Sequence, residues 1–338
     1  MNQSLQDIAK ALVAPKKGIL AADESTSTMT KRLQSVGVES TEENRRIYRQ
    51  MLFTSKGWNQ YISGVILFDE TIRQRADDGH TFVTVMEQAG VIPGIKVDMG
   101  AKPLAGSEGE TITEGLDGLR ERLKEYYNFG ARFAKWRGVI SIDEKNNLPT
   151  PYALHVNAHA LARYAALCQE AGLVPIVEPE VLMDGSHSID VCFDSTERML
   201  RTVFDELDTQ GVVLDGILLK PNMVIAGKDA SAQATSEQIA EMTVRCFKEV
   251  VPANVPGIVF LSGGQSEQEA CQNLNTMNAI YKDAPWQLSF SYGRALQQSV
   301  LSAWGGKSEN ITSAQETFLK RARLTSEARN GTYDASME

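Results

Sequence analysis

The sequence predicts one α/β domain, a (β/α)8 or TIM barrel, over residues 1–338, with a short C-terminal tail from about residue 325. Eight short apolar segments alternate with segments long enough for one helix each, as this barrel requires. A doubly wound sheet is the alternative fold. It usually has a glycine-rich dinucleotide loop after its first strand, whereas here Asp23, Glu24 and Ser25 follow the first apolar segment.

The apolar segments are bounded by glycine, proline or charged residues, which is typical of buried strands. Two of the segments between them show clear helical periodicity. In 236–251, Ile239 and Phe247 share one apolar face and Ser236 is the predicted N-cap. In 156–171, apolar residues recur at helical spacing, and Gly172 follows as a helix-ending glycine. The predicted strands are 18–23, 62–68, 92–98, 131–140, 173–180, 216–222, 257–264 and 287–293.

Composition excludes several classes of protein. The chain has 338 residues, of which 42% are hydrophobic, so it can bury a large core. Its net charge of −9 argues against general binding to nucleic acid or to an anionic membrane. No apolar run is long enough to span a bilayer, and the N-terminus lacks a secretory pattern. The cysteines are scattered without a C-x-x-C pair, so we expect a cytoplasmic protein with reduced thiols.

The most informative single residue is Lys220, which ends the apolar run 216–220 and is followed by Pro221. A proline stops the strand, so the lysine is delivered to the C-terminal end of the barrel. An amine held there is partly removed from water, which favours its neutral, nucleophilic form. Lys220 is therefore a candidate Schiff-base lysine, although most lysines at strand ends simply reach solvent.

Other charged residues stand at the same ends of the predicted strands, and in a barrel these ends converge on one face. Glu178 and Glu180 are two residues apart, so they face the same side of a strand and suit acid–base chemistry. A salt-bridged barrel mouth explains this pair equally well. Like-charge repulsion between Lys135 and Lys220 is expected to lower the pKa of either amine and so to favour its neutral form. Alternatively, Lys135 is the buried partner of a barrel carboxylate. The remaining members of the set are Asp23, Asp98 and Arg137.

Two glycine-containing sequences end the last two predicted strands, where barrels of this kind bind phosphate. Glycines let backbone N–H groups approach an anion, while serine supplies a hydroxyl and arginine a charged fork. Ordinary glycine turns are the alternative, but two such turns at the two expected strands favour a phosphate site. The residues concerned are Ser262 and Gly263 after strand 7, and Ser291, Gly293 and Arg294 after strand 8.

A metal site is not predicted. His155 and His159 are four residues apart in a helical segment, but the glutamate of an H-E-x-x-H motif is absent. We interpret both as surface histidines and expect neither a metal nor another cofactor.

Several short motifs together resemble the class I fructose-bisphosphate aldolases. They occur in one order between about residue 7 and Tyr333, and their joint spacing is specific. The motifs are GILAADEST from Gly18, TEENRR from Thr41, EGLDGL from Glu114, FAKWR from Phe133, VEPE from Val177, LLKPNM from Leu218, FLSGGQS from Phe260 and FSYGRA from Phe290.

The resemblance implies a metal-free barrel, usually a homotetramer, that reversibly cleaves fructose 1,6-bisphosphate to dihydroxyacetone phosphate and glyceraldehyde 3-phosphate. By position, Lys220 matches the Schiff-base lysine and Glu178 the acid–base group, with Glu180 beside it. Asp23 and Lys135 match the acidic and basic partners in the carbinolamine and C–C bond steps. The implied substrate-binding residues are Ser262, Gly263, Ser291, Gly293 and Arg294 for one phosphate, and Thr28, Lys31, Arg32 and Arg137 near the other phosphate or the polar groups of the substrate.

This chain departs from the family pattern in three places. Met99 stands where the family usually has a lysine associated with the 6-phosphate end, so bisphosphate binding is expected to weaken unless Lys96 or Lys102 substitutes. Ser27 and Thr28 replace a common Gly-Ser pair near the same phosphate. The sequence also ends in Glu338 rather than in the terminal tyrosine of animal members, so enamine protonation is expected to use another group or to be slower.

Three rival functions stay open at the level of sequence. The first is a Schiff-base enzyme retuned to another phosphoketose, such as a monophosphate, as Met99 suggests. The second is a non-catalytic barrel with a binding role, which would be expected to lack one of Lys220, Glu178, Asp23 or Lys135. The third is a metal-dependent aldolase, which the missing ligand cluster disfavours.

Overall fold

The computed structural model describes residues 3–338; residues 1 and 2 of the predicted domain lie outside this range. Its strands are β1 (Gly18–Ala22), β2 (Ile62–Leu67), β3 (Ile92–Lys96), β4 (Ala101–Pro103), β5 (Thr111–Thr113), β6 (Phe133–Ile140), β7 (Val174–Val181), β8 (Leu218–Leu219), β9 (Gly257–Phe260) and β10 (Gln287–Tyr292). Its α-helices are α1 (Leu5–Leu12), α2 (Thr26–Gln34), α3 (Glu42–Phe53), α4 (Asp69–Ile72), α5 (Phe82–Gln88), α6 (Leu119–Asn128), α7 (Pro151–Glu170), α8 (Ile189–Thr209), α9 (Ser236–Val250), α10 (Glu267–Ile280), α11 (Arg294–Trp304) and α12 (Ile311–Asn330).

Eight parallel strands close into a barrel in the order β1-β2-β3-β6-β7-β8-β9-β10, which confirms the predicted fold. Each lies within or close to a predicted strand, but most are shorter. The largest difference is β8, where only two residues of the predicted 216–222 belong to the sheet. The chain leaves the sheet near Pro221, which has no N–H to donate, although the Lys220 amide still donates to the Val177 carbonyl at 2.8 Å.

The sequence did not predict β4 and β5, which form an antiparallel hairpin after β3. Each strand has three residues, and β4 is fully exposed, so neither shows a hydrophobic alternation. The hairpin is joined to the barrel by side chains. The Thr113 hydroxyl donates to the Arg137 carbonyl on β6 at 2.7 Å, and Asn157 on α7 donates to the Thr111 carbonyl at 2.8 Å.

Two helices begin at residues other than the predicted ones. The N-cap of α9 is Thr235 rather than Ser236, and it forms a capping box with Gln238. Helix α7 begins at Pro151, five residues before the predicted start, because the Thr150 side chain caps it and proline suits the first turn.

The C-terminal tail begins later than predicted. Helix α12 continues to Asn330 and ends at Gly331 in the left-handed conformation, so residues 325–330 are helical. Beyond the helix, Tyr333 is buried and its hydroxyl lies 3.0 Å from Glu338 Oε1, while Arg321 on α12 pairs with the same carboxylate. Among the helices that the structure describes, none is long and apolar enough to span a bilayer.

The barrel interior is filled by a cluster separate from the core between strands and outer helices. Alternate strand residues supply it, and α1 closes the N-terminal end with Ile8, Ala9, Leu12 and the neighbouring Val13. The strand residues in this cluster are Ile19, Ala21, Ile66, Phe133, Val174, Ile176, Leu218 and Val259.

Phe133 occupies the centre of this interior because the neighbouring strands contribute glycines. Gly94 on β3 is paired in register with Phe133 on β6, and a Cβ at Gly94 would overlap the phenyl ring. A Cβ at Gly64 on β2 would lie 3.0 Å from the same ring. The aromatic ring therefore replaces the side chains that these glycines lack.

Gly94→Ala is expected to lower the free energy of unfolding by about 2 kcal/mol, because the new methyl group overpacks the barrel interior. The double variant Gly94→Ala/Phe133→Leu should recover part of this loss, since leucine leaves room for the methyl group. Urea denaturation followed by circular dichroism measures both changes. A double variant less stable than the sum of the two single changes would contradict this account.

Candidate active site

Above the apolar interior, the same inward-facing positions carry polar and charged side chains. They line a cavity of about 880 Å³ at the C-terminal ends of the strands. Two residues after Ala21, Phe133, Ile176 and Leu218 of the interior come Asp23, Lys135, Glu178 and Lys220 in the cavity. Since strand side chains alternate between faces, this spacing keeps each of the four charged residues inside the barrel.

Lys135 lies at the centre of a buried charge cluster. Its Nζ is 2.8 Å from Asp23 Oδ2, 3.3 Å from Glu178 Oε2 and 3.8 Å from Asp98 Oδ2. The side chains of Lys135, Glu178 and Asp98 are each at most 5% exposed. One ammonium thus faces three carboxylates from three different strand ends.

Glu178 connects the two buried lysines. Its Oε1 lies 3.2 Å from Lys220 Nζ, and its Oε2 faces Lys135. Within residues 3–338, Glu178 Oε2 makes no hydrogen bond of good geometry. This carboxylate therefore has an oxygen that can exchange a proton with a substrate group in the cavity.

The strand ends around this carboxylate are fixed by Asn222, which follows Lys220 and Pro221. Its side-chain oxygen accepts a hydrogen bond from the Val181 amide at the end of β7 at 2.9 Å. Its amide nitrogen donates to the Thr196 hydroxyl on α8 at 3.1 Å. The chain segments that carry Glu178 and Lys220 are therefore joined by this side chain as well as by the short pairing of β8 with β7.

The charges of Asp23 and Lys135 stabilise each other. Burial alone would raise the pKa of Asp23, but the ammonium groups of Lys135, Lys220 and Lys96 outweigh it and hold that pKa well below its usual range. Burial alone would lower the pKa of Lys135, but Asp23, Glu178 and Asp98 outweigh it and raise that pKa. The expectation that repulsion makes Lys135 a neutral amine is therefore wrong, because it faces carboxylates.

Asp98 and Lys96 belong to the same cavity, although neither was among the predicted catalytic residues. Lys96 Nζ lies 2.6 Å from Asp98 Oδ1, and the Arg137 amide donates to Asp98 Oδ2 at 3.4 Å. The signal in the sequence is the position of Asp98 at the end of the predicted strand 92–98. Met99 also lines the cavity, but 58% of it is exposed.

The glycine-containing sequences after β9 and β10 lie together on one side of the cavity. Ser262, Gly263, Ser291, Gly293 and Arg294 all line it, and an Arg294 nitrogen donates to the Gly263 carbonyl at 2.9 Å. The Ser291 hydroxyl is buried and makes no hydrogen bond within residues 3–338. A buried hydroxyl without a partner at a cavity wall is suited to a polar ligand.

The remaining predicted binding residues divide into two groups. Thr28 in the first turn of α2, Arg32 in its last turn and Arg137 on β6 all line the cavity. Glu180, also in the wall, forms an ion pair with Arg137. Lys31 is different, because it is exposed on α2 and is not part of the cavity lining.

The two histidines of α7 are exposed and share a carboxylate. His155 Nδ1 is 3.5 Å from Glu206 Oε1, and His159 Nδ1 is 3.0 Å from Oε2. In the described part of the chain, no three histidine, cysteine or acidic side chains are grouped so as to hold a metal ion.

Comparison with known proteins identifies the family. The family model described as glycolytic class-I fructose-bisphosphate aldolase matches residues 4–338. The chain belongs to the class-I fructose-bisphosphate aldolase family. The cytosolic fructose-bisphosphate aldolase 4 of Arabidopsis thaliana is 58% identical over 319 residues, which cover 94% of this chain and 81% of the relative. A probable class 1 fructose-bisphosphate aldolase of Xanthomonas campestris is 56% identical over 322 residues, which cover 95% of this chain and 96% of the relative.

The structure of Plasmodium falciparum fructose-bisphosphate aldolase, solved in complex with TRAP and a small-molecule inhibitor, superposes with a TM-score of 0.96. The two sequences are 51% identical, and the superposition covers 98% of this chain and 95% of the Plasmodium chain. Family membership makes this chain an aldolase, a lyase that acts on a sugar phosphate. The resemblance found in the sequence motifs is thereby confirmed.

Lys135→Met is expected to destabilise the protein by about 3 kcal/mol at pH 7.5, because it leaves buried carboxylates without their central ammonium. The pKa of Asp23 then rises, so its carboxyl takes up a proton more readily as the pH falls. The difference in unfolding free energy between wild type and variant should therefore be smaller at pH 5 than at pH 7.5. Urea denaturation at both pH values measures it.

Lys135→Arg is the matched control, because it retains a positive charge and should lose less stability at pH 7.5. An equal loss for Lys135→Met at both pH values would show that Asp23 does not depend on this ammonium.

Proposed function

We propose that this aldolase cleaves fructose 1,6-bisphosphate through a Schiff base on Lys220. The observation that carries the proposal is the buried Lys220 amine, which is 3.2 Å from a Glu178 oxygen inside a cavity large enough for a sugar phosphate. A lysine beside a carboxylate can transfer its proton and then attack a carbonyl carbon. The relatives of this chain in Arabidopsis thaliana and Xanthomonas campestris are named as fructose-bisphosphate aldolases, which supports the proposed substrate.

Schiff-base formation uses Lys220 and Glu178. The ammonium of Lys220 gives a proton to Glu178, and the neutral amine adds to the ketone carbon of the open-chain sugar. After a proton moves from nitrogen to oxygen, Glu178 returns its proton to the carbinolamine hydroxyl, which leaves as water. The product is an iminium ion, which accepts electrons from the adjacent C–C bond.

Cleavage of that bond requires a base for the C4 hydroxyl of the sugar. Asp23 suits this role, because its lowered pKa keeps it a carboxylate at neutral pH. As Asp23 takes the hydroxyl proton, the C3–C4 bond breaks, its electrons form the enamine, and glyceraldehyde 3-phosphate leaves. Protonation of the enamine and hydrolysis of the imine then release dihydroxyacetone phosphate. Lys135 remains charged throughout and positions both carboxylates.

The two phosphates are assigned to two different groups of residues in the cavity lining. Ser262, Gly263, Ser291, Gly293 and Arg294 are proposed to bind the 1-phosphate, supported by their shared position at the ends of β9 and β10. The 6-phosphate is assigned to the first turn of α2, whose N-terminus with Ser27 and Thr28 attracts anions.

Lys96 is proposed as the cation of the 6-phosphate side, since it lines the cavity while Lys102 does not. Arg137 is proposed to contact the polar groups of the substrate between the phosphates. Lys31 is left out of this assignment because of its position outside the cavity. No cofactor is required by any step.

The assembly and location of the protein remain proposals. We propose a homotetramer, as expected from the family resemblance, and the mass of the purified protein in solution tests it. A cytoplasmic location is proposed because the relative from Arabidopsis thaliana is named cytosolic and the relative from Pisum sativum is named cytoplasmic.

Borohydride reduction in the presence of dihydroxyacetone phosphate should attach the reduced triose phosphate to Lys220. Intact-mass analysis followed by peptide mapping locates the adduct. Lys220→Ala should abolish it and lower turnover by at least about 1,000-fold, because the amine proposed to form the imine is removed. An adduct on a different lysine would refute the assignment.

Lys228→Ala is the control for this experiment. Lys228 is exposed and pairs with Asp184 outside the cavity, so its loss should change neither the adduct nor turnover.

Substrate preference tests the assignment of Lys96 and Met99. Lys96→Met should raise KM for fructose 1,6-bisphosphate by about tenfold and KM for fructose 1-phosphate much less, because a charged contact to the second phosphate is lost. Met99→Lys adds a cation at the rim and should lower KM for the bisphosphate selectively. Steady-state kinetics with both sugars measures these effects. Equal changes in KM for the two substrates would refute the assignment of Lys96 and Met99 to the 6-phosphate and would favour a monophosphate substrate.

A further inference from the structure

Glu24 is a buried carboxylate beside Asp23 that takes no part in the proposed chemistry. It is 9% exposed and lies in the cavity wall. Its Oε1 pairs with Arg32 and accepts a hydrogen bond from Gln297 at 3.0 Å, and its Oε2 lies 2.6 Å from an Arg49 nitrogen. Two guanidinium groups therefore converge on one carboxylate.

The two arginines differ in what else they can reach. The Arg49 side chain on α3 is 3% exposed, lies outside the cavity lining and points a second nitrogen at the Gln297 side-chain oxygen, 3.5 Å away. The Arg32 side chain on α2 is 25% exposed and lines the cavity. Its Nη2 lies 3.9 Å from where a Cβ at Gly293 would be, so it borders the glycine turn after β10.

We infer that Arg32 moves its ion pair from Glu24 to a phosphate bound at the turn after β10, and that Arg49 is the positioning residue that makes this exchange possible. The inference rests on the proposed function and adds an exchangeable contact to its 1-phosphate site. It therefore places Arg32 at this phosphate rather than at the other phosphate, near which the family resemblance suggested it lies. A phosphate competes with Glu24 for Arg32 because both present oxygens that suit the guanidinium fork.

The role of Arg49 follows from the burial of Glu24. A buried carboxylate without a cation raises the free energy of the folded protein. Arg32 could therefore not leave Glu24 if it were the only cation beside this carboxylate. Arg49 and Gln297 remain on Glu24 after Arg32 departs. Gln297 is itself held in place, since its amide nitrogen also donates to the Ala21 carbonyl at 2.9 Å.

Titration calorimetry with inorganic phosphate tests the exchange without turnover. Arg49→Met should weaken phosphate binding by about tenfold, because Arg32 is then retained by Glu24. The double variant Glu24→Gln/Arg49→Met should bind phosphate at least as tightly as the wild type does, since the charge that competes for Arg32 is gone. A purely structural role for Arg49 would not be reversed by Glu24→Gln, so a double variant as weak as Arg49→Met overturns the inference.

Conservative and remote changes complete the set. Arg49→Lys keeps a charge at this position and should restore most of the affinity, whereas Arg46→Met, on the same helix but paired with Glu43 and Asp77 at the surface, should bind as the wild type does. If Arg49→Met does not fold, Glu24→Gln decides alone. It should tighten phosphate binding because Arg32 is released, and unchanged or weaker binding overturns the inference.

Kinetics separates this inference from the proposed function. In Arg49→Met, KM for the bisphosphate should rise by the same factor as the phosphate dissociation constant, while kcat changes less than about threefold. A wild type that does not cleave the bisphosphate would refute the proposed function, whereas the phosphate titrations would still decide the exchange.

Discussion

The alternation of side chains along the barrel strands is the constraint on which the rest of this structure depends. A residue that faces the interior is followed two positions later by another that does so. Along β6, Phe133 fills the apolar interior, and Lys135 and Arg137 lie above it in the cavity. Along β7, Ile176 is followed in the same way by Glu178. One strand register therefore sets both the packing of the interior and the geometry of the active site.

Charge balance explains how so many ionisable groups remain buried at the centre of the site. Lys135 and Lys220 face carboxylates that reach them from other strand ends. Each charge offsets the desolvation cost of its neighbours, so the pKa of Asp23 falls while that of Lys135 rises. Glu178 is the carboxylate that both lysines share.

A second set of buried polar residues contacts the strand ends that carry this charge cluster. Asn222 connects the ends of β7 and β8, and through them Glu178 and Lys220. Near the end of β1, Glu24 follows Asp23 in sequence and contacts Arg49 and Gln297. Asn222 accepts a hydrogen bond from the backbone of Val181, and Gln297 donates one to the backbone of Ala21, so both side chains are held in place. The positions of the cavity residues thus depend on Asn222, Arg49 and Gln297, which do not line the cavity themselves.

The sequence by itself determined the barrel and most of the cavity, because strand periodicity and the glycine turns are local patterns. It also placed Lys220 at a strand end. Only the tertiary structure decided the charge state of Lys135, because its carboxylate partners come from distant strands. The exposure of Lys31 and the late start of the tail after Asn330 were likewise missed. Which face a helical residue presents, and what a terminal segment packs against, depend on contacts that are remote in the chain.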